Sequence, residues 1–305
     1  MTDQVKLALG SILVGLIVLA LKAWAAVMTG SVALLSDALE STVNVVAAIA
    51  ALVAVKVALR PADEAHPYGH TKAEFISAVV EGVLIVVAAL LILREAWLGF
   101  LSPDIPQMPA SGLVVVTVAT AINAAWSRLL IRRGTQLSSP ALVADGKHLW
   151  ADVITSAGVV LGICFAGLTG YWVLDPLLAA IVAVNILWSG GKLIASSLSG
   201  LLDEAVPDQT MQTIREVIST EAGGALEAHD LRTRHAGRAT FVDFHLVVPG
   251  ETTVEDAHEV CDQIEAALKD AVPDINVSIH VEPEHKAEAE GTDRGVIEIG
   301  EPRKR

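Results

Sequence analysis

The sequence predicts an α-helical membrane protein: six transmembrane helices, then a small cytoplasmic ferredoxin-like α+β domain. Three observations carry this reading. The 305 residues are 53% hydrophobic with a mean hydropathy of +0.55, above the average of soluble globular chains. Before residue 200 there are six apolar stretches, each near or above the ~20 residues that cross a bilayer. The charge of −14 is unevenly placed: residues 1–200 hold 11 Lys+Arg against 12 Asp+Glu, and residues 201–305 hold 10 against 23. The acidic half argues against nucleic acid as a partner, which needs a basic surface. Cys164 and Cys261 stand far apart with no CxxC, so neither a disulfide framework nor a cysteine zinc module is legible.

The apolar stretches run 5–27, 31–59, 75–101, 111–133, 141–169 and 171–198. Arg60-Pro61-Ala62-Asp63 ends the second, and Ser102-Pro103-Asp104-Ile105-Pro106 separates the third from the fourth. Lys and Arg fall on one side: Arg60 and Lys72 after span two, Arg132, Arg133 and Lys147 between spans four and five, and Lys192 at the exit of span six. The opposite loops carry none, which places both termini in the cytoplasm of a multi-pass inner (plasma) membrane protein.

Residues 1–203 form the membrane domain on this reading, 204–285 the cytoplasmic domain and 286–305 a disordered tail without a core pattern. In the cytoplasmic domain a helix is predicted over 208–221, strands over 227–235 and 239–248, a helix from Thr253 to about 270, and a strand over 275–282. In the second strand Val242, Phe244, Leu246 and Val248 share one face and His245 takes the other.

Ionisable groups inside the spans are the informative residues, because each costs at least ~2.5–3.5 kcal/mol at a helix centre. Glu40 and Asn44 in span two, and His148 and Asp152 in span five, are i,i+4 pairs, each stacked on one helix face. Two such pairs on facing helices offer four ligands to one divalent ion, with Glu40 and Asp152 supplying two negative charges. The plainer alternative is ordinary interhelical pairing, with Lys22 or Lys56 as the cation. Asp37 and Asp145, one turn earlier, are further candidates for a ligand or a proton path, or for capping and pairing with Lys147. In the loop after span two, Asp63, His66 and His70 can wrap one ion. Six of the nine histidines lie beyond residue 203. Of these, His229, His245 and His280 fall on strands with Glu282 two residues on, and His258 falls on the intervening helix.

Ser36-Asp37-Ala38-Leu39-Glu40-Ser41, His66-Pro67-Tyr68-Gly69-His70-Thr71-Lys72-Ala73-Glu74, His148-xxx-Asp152 and Ala228-His229-Asp230-Leu231-Arg232-Thr233-Arg234 together resemble the cation diffusion facilitator family of divalent-metal/proton antiporters, over about residues 8–284. The resemblance implies a homodimer in the lipid bilayer, with divalent metal cations and protons as partners. It implies a transport site at Glu40, Asn44, His148 and Asp152, and a loop site at Asp63, His66 and His70. It further implies a dimer-bridging cytoplasmic site at His229, His245, His258, His280 and Glu282, and an ion pair between Lys72 and Asp203.

Asn44 stands where the family usually has Asp, and Glu40 where Asp or His is usual. One imidazole and three oxygen donors suit Zn²⁺ less exclusively and leave room for Fe²⁺, Co²⁺ or Mn²⁺, and Cd²⁺ belongs on the same candidate list. The expected activity is proton-coupled efflux of a divalent transition metal, Zn²⁺ first among them, that metal also being a candidate regulator. No organic cofactor and no enzymatic activity are expected: HExxH is absent, and no nucleophile–base pair stands out. The rival is a membrane-tethered cytoplasmic metal sensor or scaffold.

Overall fold

A computed structural model describes residues 2–29, 32–101, 110–169, 173–287 and 297–299. The chain divides into two compact units, Met1–Ser199 and Gly200–Arg305. The first is built from α1 (Asp3–Thr29), α2 (Val32–Ala58), α3 (Ala73–Leu101), α4 (Ala110–Gln136), α5 (Pro140–Thr169) and α6 (Leu174–Leu201). Among the described residues, five of these helices are long and apolar enough to cross a membrane by length and composition. The sixth, α5, carries Asp145, Lys147, His148 and Asp152 in its first half.

Helix α5 sits between two apolar cores. On one side Val5 and Ala8 of α1, Val55 of α2 and Leu130 of α4 close on Leu142 and Leu149. On the other, Ile85 of α3 and Ile186 and Leu193 of α6 close on Ala144. Small residues let the helices approach: a Cβ on Gly146 would lie 2.8 Å from the Ile131 side chain, and Ser127 Oγ donates to the Gly146 carbonyl at 2.8 Å. Glu74, buried at the start of α3, accepts from Ser139 Oγ and, at 3.4 Å, from Ala141 N–H, which satisfies the first turn of α5. Leu13, Val27, Val46, Leu91 and Trp188 face outward, the distribution of a bundle whose surroundings are lipid.

The second unit comprises α7 (Asp208–Glu221), β1 (Glu227–Ala236), β2 (Ala239–Val248), α8 (Val254–Ala271), β3 (Ile275–Pro283), a 3₁₀ turn (Glu284–Lys286) and β4 (Ile297–Glu298). The sheet order is β3-β2-β1-β4. β1 and β2 form an antiparallel hairpin, while β3 runs parallel to β2, so α8 serves as the crossover. Ile214 and Ile218 of α7 and Ile264 and Leu268 of α8 cover Val242, Phe244 and Leu246 of β2. Thr253 caps α8 by accepting from Asp256 N–H at 3.1 Å. Cys261 packs in the same core, and burial raises its thiol pKa.

The expectation of a wholly disordered tail fails at residues 297–299. Ile297–Glu298 pair antiparallel with Glu227 and Ala228, and Ile297 is buried in the domain core with Ile299 against it. The outer edge of β1 presents unpaired backbone groups, and two isoleucines at strand spacing reach one face together. Residues 288–296 and 300–305 lie outside the described residues.

Candidate metal centres

Three clusters of ligand-type side chains emerge. In the helical unit, Asn44 of α2 and His148 and Asp152 of α5 are all buried. His148 Nε2 lies 2.8 Å from Asn44 Oδ1. An amide oxygen accepts, so Nε2 donates and Nδ1 keeps its lone pair. Asp152 Oδ2 accepts from Asn123 Nδ2 of α4 at 2.8 Å and lies 3.7 Å from Lys22 Nζ of α1. His148 Nδ1, Asp152 Oδ1 and Asn123 Oδ1 are buried without a hydrogen-bond partner among the described residues. Each such group costs ~1–3 kcal/mol unless something satisfies it, and a cation satisfies acceptors. Glu40 lies on α2 one turn before Asn44, but its side chain, like that of Asp37, is outside the described residues.

Lys22 is thus an ion-pair partner of Asp152, the plainer role open to it from the sequence. Asn123 was not foreseen at all. Neither was Glu81, which is wholly buried and accepts from Ser77 Oγ at 3.4 Å. Asp145, also wholly buried, accepts from Ser11 Oγ of α1.

The second cluster is the loop after α2. Asp63 Oδ1 accepts from the backbone N–H of Ala65 at 3.0 Å and of His66 at 2.7 Å. That bond to His66 holds the Asp63 carboxyl below its ordinary pKa. His66 Nδ1 is 3.3 Å from Oδ1 and His70 Nε2 is 3.4 Å from Oδ2, so the three ligand groups meet at one point. Gly69, at φ +83°, closes the turn that folds His70 back over His66.

The third cluster is a cross-strand row. His229 of β1 pairs in register with His245 of β2, and His245 with His280 of β3. Glu282 is the hub: its carboxylate lies 3.4 Å from His229 Nε2, 3.5 Å from His245 Nδ1 and 3.6 Å from His280 Nε2. His229, His245 and Glu282 have ligand atoms close enough for one ion. A bulge after His229, with Asp230 at φ +51°, re-aims β1 and leaves Asp230 Oδ2 4.0 Å from His245 Nε2. His258 does not join this group among the described residues: α8 points it outward beside Asp262, 3.8 Å away. Asp203 accepts from Arg234 Nη1 at 3.1 Å.

A bundle of apolar helices with buried imidazole and carboxylate groups, followed by a sheet domain with its own imidazole–carboxylate cluster, is the architecture of a multi-pass membrane protein whose polar groups are of the kind that ligate cations. Residues 8–202 match the cation efflux transmembrane domain, and residues 206–284 the cytoplasmic domain of cation efflux proteins. The chain belongs to the cation diffusion facilitator family. It is 42% identical over 273 residues to the uncharacterized transporter sll1263 of Synechocystis sp., covering 90% of this chain and 88% of that protein. It is 33% identical over 279 residues to the cation-efflux pump FieF of Serratia proteamaculans, covering 90% and 91%. A solved structure of CzrB, described as a candidate zinc transporter, is 49% identical over 26% of this chain and 98% of that one, with a TM-score of 0.25.

Proposed function

We propose that this divalent-metal efflux protein is a proton-coupled antiporter whose transport site is formed by Glu40, Asn44, His148 and Asp152, with Zn²⁺ as the leading cargo. The buried acceptor atoms His148 Nδ1 and Asp152 Oδ1, one helical turn apart on α5 and without a partner among the described residues, carry the reading. Metal reaches the site from the cytoplasm, and helix rocking exposes it to the far side. There protons compete for the same ligands, because every one must be deprotonated to hold metal. Binding of metal and of protons is mutually exclusive, so an inward proton gradient drives metal outward. The protein acts as a homodimer with both termini cytoplasmic. The loop cluster and the sheet cluster bind the same class of ion, and the sheet cluster regulates the cycle by rigidifying the dimer.

The test is metal flux in proteoliposomes under an imposed pH gradient, across Zn²⁺, Fe²⁺, Co²⁺, Mn²⁺ and Cd²⁺. Proton-driven flux that vanishes in Asp152→Ala and changes metal preference in Asn44→Asp is the expected result. Unimpaired flux in Asp152→Ala sinks the site assignment. A tethered sensor is the second reading, favoured by the compactness of the Glu282 hub. It requires no flux for any metal from folded dimer.

A further inference from the structure

Asp152 already faces a cation that belongs to the chain. Lys22 is 1% exposed, and its Nζ lies 3.7 Å from Asp152 Oδ2. An ammonium so deep in an apolar bundle needs a counter-charge, and Asp152 supplies one. Asn123, 1% exposed, donates to the same oxygen, and its own amide oxygen is buried without a partner among the described residues. The other carboxylate oxygen, Oδ1, is buried without a partner among the described residues, as is Nδ1 of His148 one turn away. One oxygen of this carboxylate therefore meets a tethered cation while the other is open to a second one.

We propose that Lys22 is the resident cation of the intramembrane site, which a divalent ion must displace from Asp152 in order to bind. This rests on the transport-site reading above. Glu40 and Asp152 bring two negative charges, and Lys22 reduces the sum to one. A divalent ion that left the ammonium in place would give the site a net positive charge where dielectric screening is weak. An ion that moves the ammonium aside leaves the site neutral. Lys22 is on α1 and Asp152 on α5, so metal entry cuts a tie between two helices and metal departure restores it. The tethered cation thereby lowers metal affinity and hastens release. Asn123 is the positioning residue that keeps Asp152 aimed at the site during the exchange.

The experiment is equilibrium Zn²⁺ binding to the full-length chain in nanodiscs. The binding that survives Asp152→Ala is subtracted, so that only the intramembrane site is read. Lys22→Met is expected to tighten this component at least tenfold and to slow maximal flux, while Lys22→Arg, which keeps the charge, stays near wild type. Lys22→Gln retains a polar side chain without charge and replaces Lys22→Met should that variant not fold as a dimer. An unchanged or weakened affinity in the neutral variants, with Asp152-dependent binding present, overturns the inference alone and leaves the transport site standing. Absence of Asp152-dependent binding in wild type and neutral variants alike overturns both. Binding that appears only once the charge is removed supports the inference.

Discussion

The bundle and the sheet domain both gather imidazole and carboxylate, yet they hold them in opposite conditions. In the sheet, His229, His245 and His280 stand in register on three paired strands, and each has Glu282 within 3.6 Å. In the bundle the candidate ligand atoms come from packed helices, several have no partner among the described residues, and a lysine shares the Asp152 carboxylate. The sheet row is held in register by its strands around one carboxylate, which suits retention of an ion. The bundle carboxylate is shared with a lysine, which suits exchange. On the proposed reading, the same chemistry serves residence in one unit and transit in the other.

The sharpest way to break this contrast is to remove one ligand from each unit and compare fluxes. His148→Ala is expected to lower proteoliposome flux at least ~100-fold, because the ion loses its one nitrogen donor in the bundle. His229→Ala is expected to cost no more than ~10-fold in flux while abolishing metal binding at the sheet cluster, read by equilibrium dialysis. Equal losses in the two variants would mean that the sheet cluster is part of the transport path.

A second comparison concerns packing. Gly146 lies one turn before Trp150 on the ligand-bearing helix, where α4 leaves no room for a Cβ. Gly146→Val should cost ~1–3 kcal/mol through overpacking, seen as a lower thermal unfolding midpoint in detergent. Gly250, which has open space around its Cβ position, is the control, and Gly250→Ala should leave that midpoint nearly unchanged.

Periodicity made the large elements legible. The α1 to α6 boundaries lie within three residues of the predicted stretches, and the α7-β1-β2-α8-β3 succession follows the predicted order. Spacing also brought Asn44, His148 and Asp152 to notice, because i,i+4 pairs of polar residues stand out inside apolar spans. Asn123 has only Ser127 four residues on, a small hydroxyl that reads as ordinary helix packing, so no ionisable neighbour marks it. Its role exists only because α4 packs against α5 and meets Asp152. Glu81 could have been found, being an acid inside a span, but its four-residue relation to Ser77 reads as ordinary helix surface. His258 lies apart from the row within this chain, since sitting on an element that packs against the sheet says nothing about which face of that helix it occupies. β4 was invisible because two residues carry no period.

The smallest effect expected is at the loop, which separates carboxylate from imidazole control of acid sensitivity. The folded Asp63 carboxyl has a depressed pKa, chiefly from the His66 backbone N–H. A depressed acid contributes its stabilisation above its unfolded value and loses it as pH falls through the folded one. The turn therefore persists through pH 5 to 7, while an ion held by the loop must compete with protons for its ligands, since imidazole binds metal only in its neutral form. Metal binding at the loop should fade on mild acidification while the Asp63–His66 turn stays formed, which amide resonances of Ala65 and His66 would report. Asp63→Asn keeps an acceptor for those amides but removes the charge, and is expected to weaken loop binding less than ~10-fold without altering the turn. Loss of the turn together with metal on mild acidification would show that ion and fold are coupled there, as in a site that assembles only around its metal.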